Sequence, residues 1–286
     1  MDTTASSAAR KDGQSKRPNP GAAGSRAHGD LPVAFGFRNG LGGAHASRTM
    51  MLSELSTLLD AEPADASRDD FLHAILDENV LGKPTVTTRR RAARMLRELY
   101  ALRQDVPLFR ALTHFWKKDL AGRPLLALLC AVARDPILRI TAKAVLSAKV
   151  GDAVDKSALE ETITHAAPGH LAHSTVQKIA RNTASTWTQS GHLKGRSVNR
   201  RSRPAPTPAA VAYALLLGYL AGASGQMLLD TFWTRLLDAP KDQLASLAAE
   251  ASTRGWIAYR QAGQVVEIRF PELLTPEELE VRRGQD

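Results

Sequence analysis

From Arg48 onward, apolar residues recur three and four positions apart, and each such stretch is cut by proline, glycine or a polar cluster before the next begins. A 3.6-residue period lays one apolar face along a helix and cannot lay one along a strand. The chain is therefore restricted to a stack of short amphipathic helices. Met51, Leu52, Leu55, Leu58 and Leu59 open the series, and Pro63 closes their helix. Phe71, Leu72, Ile75 and Leu76 mark a second helix over 69–79, ended by Val80-Leu-Gly-Lys-Pro84. Further helices are predicted over 108–118, 124–134 and 137–150, then 156–165, 174–189, 208–221, 226–237 and 241–253. Leu125, Leu126, Leu128, Leu129 and Val132 are apolar nearly all round, which puts that helix at the centre. Strand-like alternation appears at Trp256-Ile-Ala-Tyr-Arg260 and 264–270, about a turn at Gln261-Ala-Gly263, and predicts one β-hairpin. The expected fold class is all-α, with helix-turn-helix and winged-helix units and one C-terminal β-hairpin.

Four regions follow from these breaks. Residues 1–46, rich in Gly, Ala, Ser and Lys/Arg, read as a disordered basic tail containing one apolar segment, Leu31-Pro-Val-Ala-Phe-Gly-Phe37, able to pack on the body. Residues 47–150 form an N-terminal helical domain with a helix-turn-helix, and 151–275 a winged-helix-like region. Residues 276–286 form an acidic, frayed tail. A hydrophobic content of 43 % supports a real core. The lone cysteine, Cys130, sits in an apolar run as a core thiol and fits a reducing, cytoplasmic setting. The apolar stretch 209–223 is short for a membrane span, so no membrane partner is expected.

The formal net charge is +9, which favours an anionic partner. Its distribution says more. Residues 85–103 open on threonines that can cap a helix, including Thr87 and Thr88, and continue through Arg89, Arg90, Arg91, Arg94, Arg97 and Arg103 against a single acid, Glu98. Free N–H groups and the positive end of the macrodipole already make a helix start electropositive, so arginines stacked there form a phosphate-binding surface. A solvated basic face would explain one such run. The design recurs, however: a helix over 156–165, a turn at Ala166-Ala-Pro-Gly-His170, and a second helix capped by Ser174 or Thr175. Val176, Ile179, Thr183 and Trp187 form its inner stripe, while Gln177, Lys178, Arg181 and Asn182 face outward. Beyond Gly191 come Lys194, Arg196, Arg200, Arg201 and Arg203, and residues 178–203 hold no acidic residue. The helix over 241–254 is instead acidic and alanine-rich, so the unit ending in the hairpin reads as structural or protein-binding.

The runs Glu78-Asn-Val-Leu81, Thr87-Thr-Arg89 with 94–102, and His173-Ser-Thr-Val-Gln-Lys178 leading to Trp187 and Gly191-His-Leu193 resemble the accessory protein A family of BREX phage-defence systems, also described as NusB-like or inner-membrane. The likeness spans roughly residues 48–275. His192 departs from the family's closing turn, and the long basic N-terminal stretch and the prolines after Arg203 are also departures. The resemblance implies a helical, winged-helix-containing protein that binds double-stranded DNA and acts beside other proteins of a defence island.

Motifs for phosphate-loop, nucleophile-elbow and zinc-protease chemistry are missing from the sequence. His165, His170 and His173 cluster in sequence without the four-ligand spacing of a structural metal site. No catalytic residue, metal or cofactor is therefore expected. The expected function is non-enzymatic binding of duplex DNA through Thr87, Thr88, Arg89, Arg90, Arg91, Arg94, Ser174, Thr175, Gln177, Lys178, Arg181, Lys194, Arg196, Arg200, Arg201 and Arg203. The alternatives are a protein-interaction scaffold and an RNA-binding regulator. Oligomeric state is not readable from the sequence.

Overall fold

Helix boundaries in this chain are written locally, by proline and by hydroxyl or carboxylate caps. The computed structural model describes residues 30–195, 197–263 and 265–284. Its first group of helices is α1 (Leu52–Ala61), α2 (Arg68–Leu76), α3 (Val86–Tyr100), α4 (Pro107–Trp116) and α5 (Arg123–Arg134). The second group is α6 (Pro136–Leu146), α7 (Lys156–Ala166) and α8 (His173–Gln189), followed by strands β1 (Leu193–Lys194) and β2 (Arg200–Arg201). The third comprises α9 (Pro208–Leu220), α10 (Phe232–Arg235), α11 (Lys241–Thr253), β3 (Ala258–Ala262), β4 (Val265–Arg269) and α12 (Pro276–Arg283). Prolines lie in the first turns of α4, α5, α6, α9 and α12, where the missing N–H has no helical partner to lose. Reciprocal capping boxes start α2 at Ser67, α3 at Thr85 and α12 at Thr275.

Two apolar helices hold the centre. Residues 125–133 of α5 are all buried, and α9 is buried along nearly its whole length. They pack on each other; α3, α4 and α6 also pack on α5, and α10 and α11 on α9. The helices on either side of residue 150 therefore share one core. Cys130 is buried in α5, where burial pushes its thiol up to about 11. Among the described residues no single helix is long and apolar enough to cross a membrane.

Three sequence expectations need correction. The tail expected to run to residue 46 joins the body from Leu31: Leu31, Phe35, Phe37, Ala44 and His45 are buried. Arg139 donates to the carbonyl of Arg38, and Phe37 packs at a tilt against Trp233. Residues 1–29 lie outside the described residues. The C-terminal tail expected to fray is instead docked. Arg282 of α12 is buried, donates to the Tyr219 carbonyl and lies over the Tyr219 ring, while Glu278 pairs with Arg110. Finally, the expected hairpin is present as β3–β4, in register from Ala258 opposite Arg269 to Ala262 opposite Val265, but it is one of two strand pairs among the described residues.

The second pair follows α8 directly. Leu193 faces Arg201 and Lys194 faces Arg200. The stretch between α6 and α7 adds a third antiparallel rung: Ala153 bridges Arg200, Val154 N–H donates to the Asn199 carbonyl (2.8 Å), and Arg201 N–H donates to the Asp152 carbonyl (2.8 Å). The order is thus helix, short extended segment, two helices and two strands, with the first extended segment and the last strand bonded together. α6 and α7 pack on each other, and α8 packs on both.

Candidate nucleic-acid interface

α8 has an inner face set by size and polarity. Val176, Ile179, Ala180, Thr183, Ala184 and Trp187 are buried, and Trp187 Nε1 donates to Thr141 Oγ1 of α6 (2.9 Å). With that face fixed, the helical period turns Ser174, Gln177, Lys178 and Arg181 outward, all exposed, and leaves Thr175 half-buried. The start of α8 differs from expectation. Its N-cap is Ala172, without a side-chain cap, so Ser174 and Thr175 lie inside the first turn and their hydroxyls are not used for capping. Among the described residues, Lys178, Arg181 and Lys194 carry no side-chain hydrogen bond or ion pair. Asn182 is committed elsewhere: its Nδ2 donates to the His45 carbonyl (2.9 Å).

The turn joining β1 to β2 stands beside this helix in sequence and is held at its base by the ladder to residues 152–154. Gly195 adopts φ +118, and a Cβ there would sit 2.1 Å from the Val198 carbonyl oxygen, so the tight turn requires glycine. Arg200 is exposed and donates to the Gly151 carbonyl (3.0 Å). Arg203 is exposed, 3.9 Å from Asp238. Arg201 is a correction. It is 3 % exposed, bonds Asp238 through Nη2 (2.7 Å), and donates to the carbonyls of His192 and Ser202, so it braces the fold and is closed to an outside phosphate. Arg196 lies outside the described residues.

α3 presents the other basic surface. Ala92, Ala93, Met95, Leu96, Leu99 and Tyr100 face inward, leaving Thr87, Arg90, Arg91 and Arg94 exposed. None of these three arginines has a side-chain partner among the described residues. Arg89 is diverted, since its Nη1 donates to the Leu76 carbonyl (2.7 Å) at the end of α2. Thr88 is half of the capping box with Thr85. The segment between α2 and α3, residues 77–85, is longer than the three- or four-residue link of a helix-turn-helix.

One constellation escaped sequence reasoning. His45 Nδ1 donates to Asp135 Oδ2 (2.8 Å), and Nε2 lies 2.8 Å from Thr186 Oγ1, which also accepts from Met50 N–H (2.8 Å). Asp135 further caps α6 by accepting from Leu138 N–H (3.1 Å). Burial works to raise the Asp135 pKa, but the His45 ring and these hydrogen bonds outweigh it and hold the carboxyl below its ordinary value. The sequence of an acid–base relay is present, yet all three side chains are buried, with both partners of every hydrogen bond inside the fold. They fasten residues 43–50 between α6 and α8. Only Asp135-Pro136, a cap-and-proline pair, hinted at it in sequence. His165, His170 and His173 are exposed, and among the described residues no three metal-ligating side chains come together.

No family model matches the chain, and no curated protein matches it. The resemblance therefore rests on the residues quoted for it above.

Proposed function

We propose that this chain binds double-stranded DNA through a winged-helix unit made of α6–α8 and β1–β2, with α8 as the recognition helix and the 195–199 turn as the wing. The observation that carries this reading is the coincidence of order and charge. The helix, strand, helix, helix, hairpin succession leaves exposed the one helix face bearing Ser174, Gln177, Lys178 and Arg181, and the hairpin that follows bears Lys194 and Arg200. A helix of this kind enters the major groove while the wing meets the adjacent backbone. Lys178, Arg181, Lys194, Arg200 and Arg203 hold phosphates; Ser174, Thr175 and Gln177 reach base edges or backbone. The exposed arginines of α3, with Thr87, supply a second backbone contact. The role is binding without catalysis, beside other proteins of a BREX-type defence island. In the third group, α9–α11 with β3–β4 repeats the helix-then-hairpin order, but α11 exposes Asp242 and Glu250, and this unit serves protein contacts.

The test is fluorescence anisotropy with a labelled duplex at low salt. Replacing both Lys178 and Arg181 by Ala is expected to weaken binding at least about tenfold, since each lost phosphate contact removes part of the counter-ion release. Equal affinity in the two proteins would exclude α8 as the recognition helix.

A further inference from the structure

At the C-terminal end of α3 the surface sinks into an open basin of about 460 Å³, walled by Arg38, Arg68, Arg94, Arg97, Arg103 and Arg134, with Glu98 as the one carboxylate of its lining. These arginines come from the N-terminal segment, α2, α3, the loop after it and α5, so no run in the sequence announces them. Their assembly is not explained by what the fold needs. Arg134 already serves the fold: Nε donates to the Glu98 carbonyl (3.1 Å) and Nη2 to that of Arg97 (3.2 Å) at the end of α3, and Nη1 to the Gly36 carbonyl. Arg103 is paired with Asp105. The side chains of Arg38, Arg68, Arg94 and Arg97 have no hydrogen-bond or ion-pair partner among the described residues, and Glu98 pairs with none of them.

Position makes the excess clearer. Arg68 occupies the first helical position of α2, where the macrodipole disfavours a cation. Arg90, Arg94 and Arg97 follow one another at spacings that bring like charges together on a helix, which costs a few tenths of a kcal/mol per pair. Burial, and behind it the Arg38 charge, lower the pKa of Arg134. Unneutralised guanidinia crowded about a concavity fit a ligand that supplies several negative charges and acceptor oxygens, and guanidinium geometry matches phosphate in two-pronged fashion. The volume is that of a small-ligand site. Among the described residues no aromatic ring lines it, so none of them stacks a base there.

We infer that this basin is a binding site for adjacent phosphate groups, either of one nucleic-acid strand or of a free oligophosphate. It is separate from α8 and the wing, and meets the duplex reading only at Arg94.

Calorimetric titration of the full chain with inorganic tripolyphosphate at low salt tests it. One bound anion per chain is expected, weakened at least about tenfold by Arg68→Glu and by Arg97→Ala. The Lys178/Arg181 double alanine variant should bind it as before. Arg68→Glu puts a favourable charge at a helix start, so loss of fold does not account for its effect, and circular dichroism with a thermal melt confirms this. No binding, or binding unchanged in both variants, overturns the proposal. The source of the phosphate follows from competition. If duplex displaces tripolyphosphate and Arg68→Glu weakens duplex binding too, the occupant is a nucleic-acid strand. If duplex binding is untouched by Arg68→Glu, the occupant is a free oligophosphate. The duplex reading fails separately, if the unaltered protein does not bind duplex at all.

Discussion

His192 closes the turn after α8 with its ring fully buried. Nε2 donates to the Leu236 carbonyl (2.8 Å), and Nδ1 lies 2.9 Å from the Ser190 hydroxyl. Burial, opposed in part by the Leu236 bond, lowers its pKa from 6.5 to about 4. The unfolded chain takes up a proton as pH falls below 6.5 and the folded chain does not until about 4, so stability is lost across that window, by ~3 kcal/mol at its lower end. Urea unfolding followed between pH 7 and 4.5 should show this fall, and His192→Gln should flatten it; an identical slope in both proteins would refute the assignment. Asp135 works in a lower window. Its depressed pKa contributes stability that is present above the ordinary carboxylate range and lost as pH falls through the folded value. Asp135→Ala removes a buried partner of His45 together with the α6 cap, and is expected to cost about 3–5 kcal/mol by urea unfolding at neutral pH. Much at this scale was not legible in sequence. Arg89, Arg201 and Asn182 look like ligand-facing residues until the Leu76 carbonyl, the Asp238 carboxylate and the His45 carbonyl are brought beside them by parts of the chain that only tertiary packing joins.

Helices were more readable than the short strands, for a physical reason. The arginine helix expected within 85–103 is Val86–Tyr100, and the hairpin expected over 256–270 is Ala258–Ala262 with Val265–Arg269, because a sustained period is recorded in the side chains themselves. β1 and β2 have two residues each. A strand that short has no alternation to read, and its partner at 152–154 lies before α7. The hairpin turn they support makes its own prediction. Gly195→Ala forces a Cβ against the Val198 carbonyl in a backbone region L residues avoid, at a cost of roughly 1–3 kcal/mol. Duplex affinity should fall several-fold as the turn is re-aimed, while α8 is unchanged. A variant that melts earlier yet binds duplex with full affinity would show that the 195–199 turn takes no part in binding.

Across the whole molecule, one core carries two basic surfaces. α5 and α9 bind the three helical groups together, so the α8 face and the α3 face are presented by a common body, and the apolar helices that do this were visible in sequence as stretches hydrophobic on every side. The Arg38–Arg134 basin was not visible there, since its walls come from separate segments. The proposed grip on a duplex by its phosphates has a direct signature. The logarithm of the duplex binding constant should fall linearly with the logarithm of salt concentration, with a slope steeper than about −4, and the Lys178/Arg181 double alanine variant should lower that slope by about 2. A slope near zero, or the same slope in both proteins, would contradict duplex binding through the α8 face.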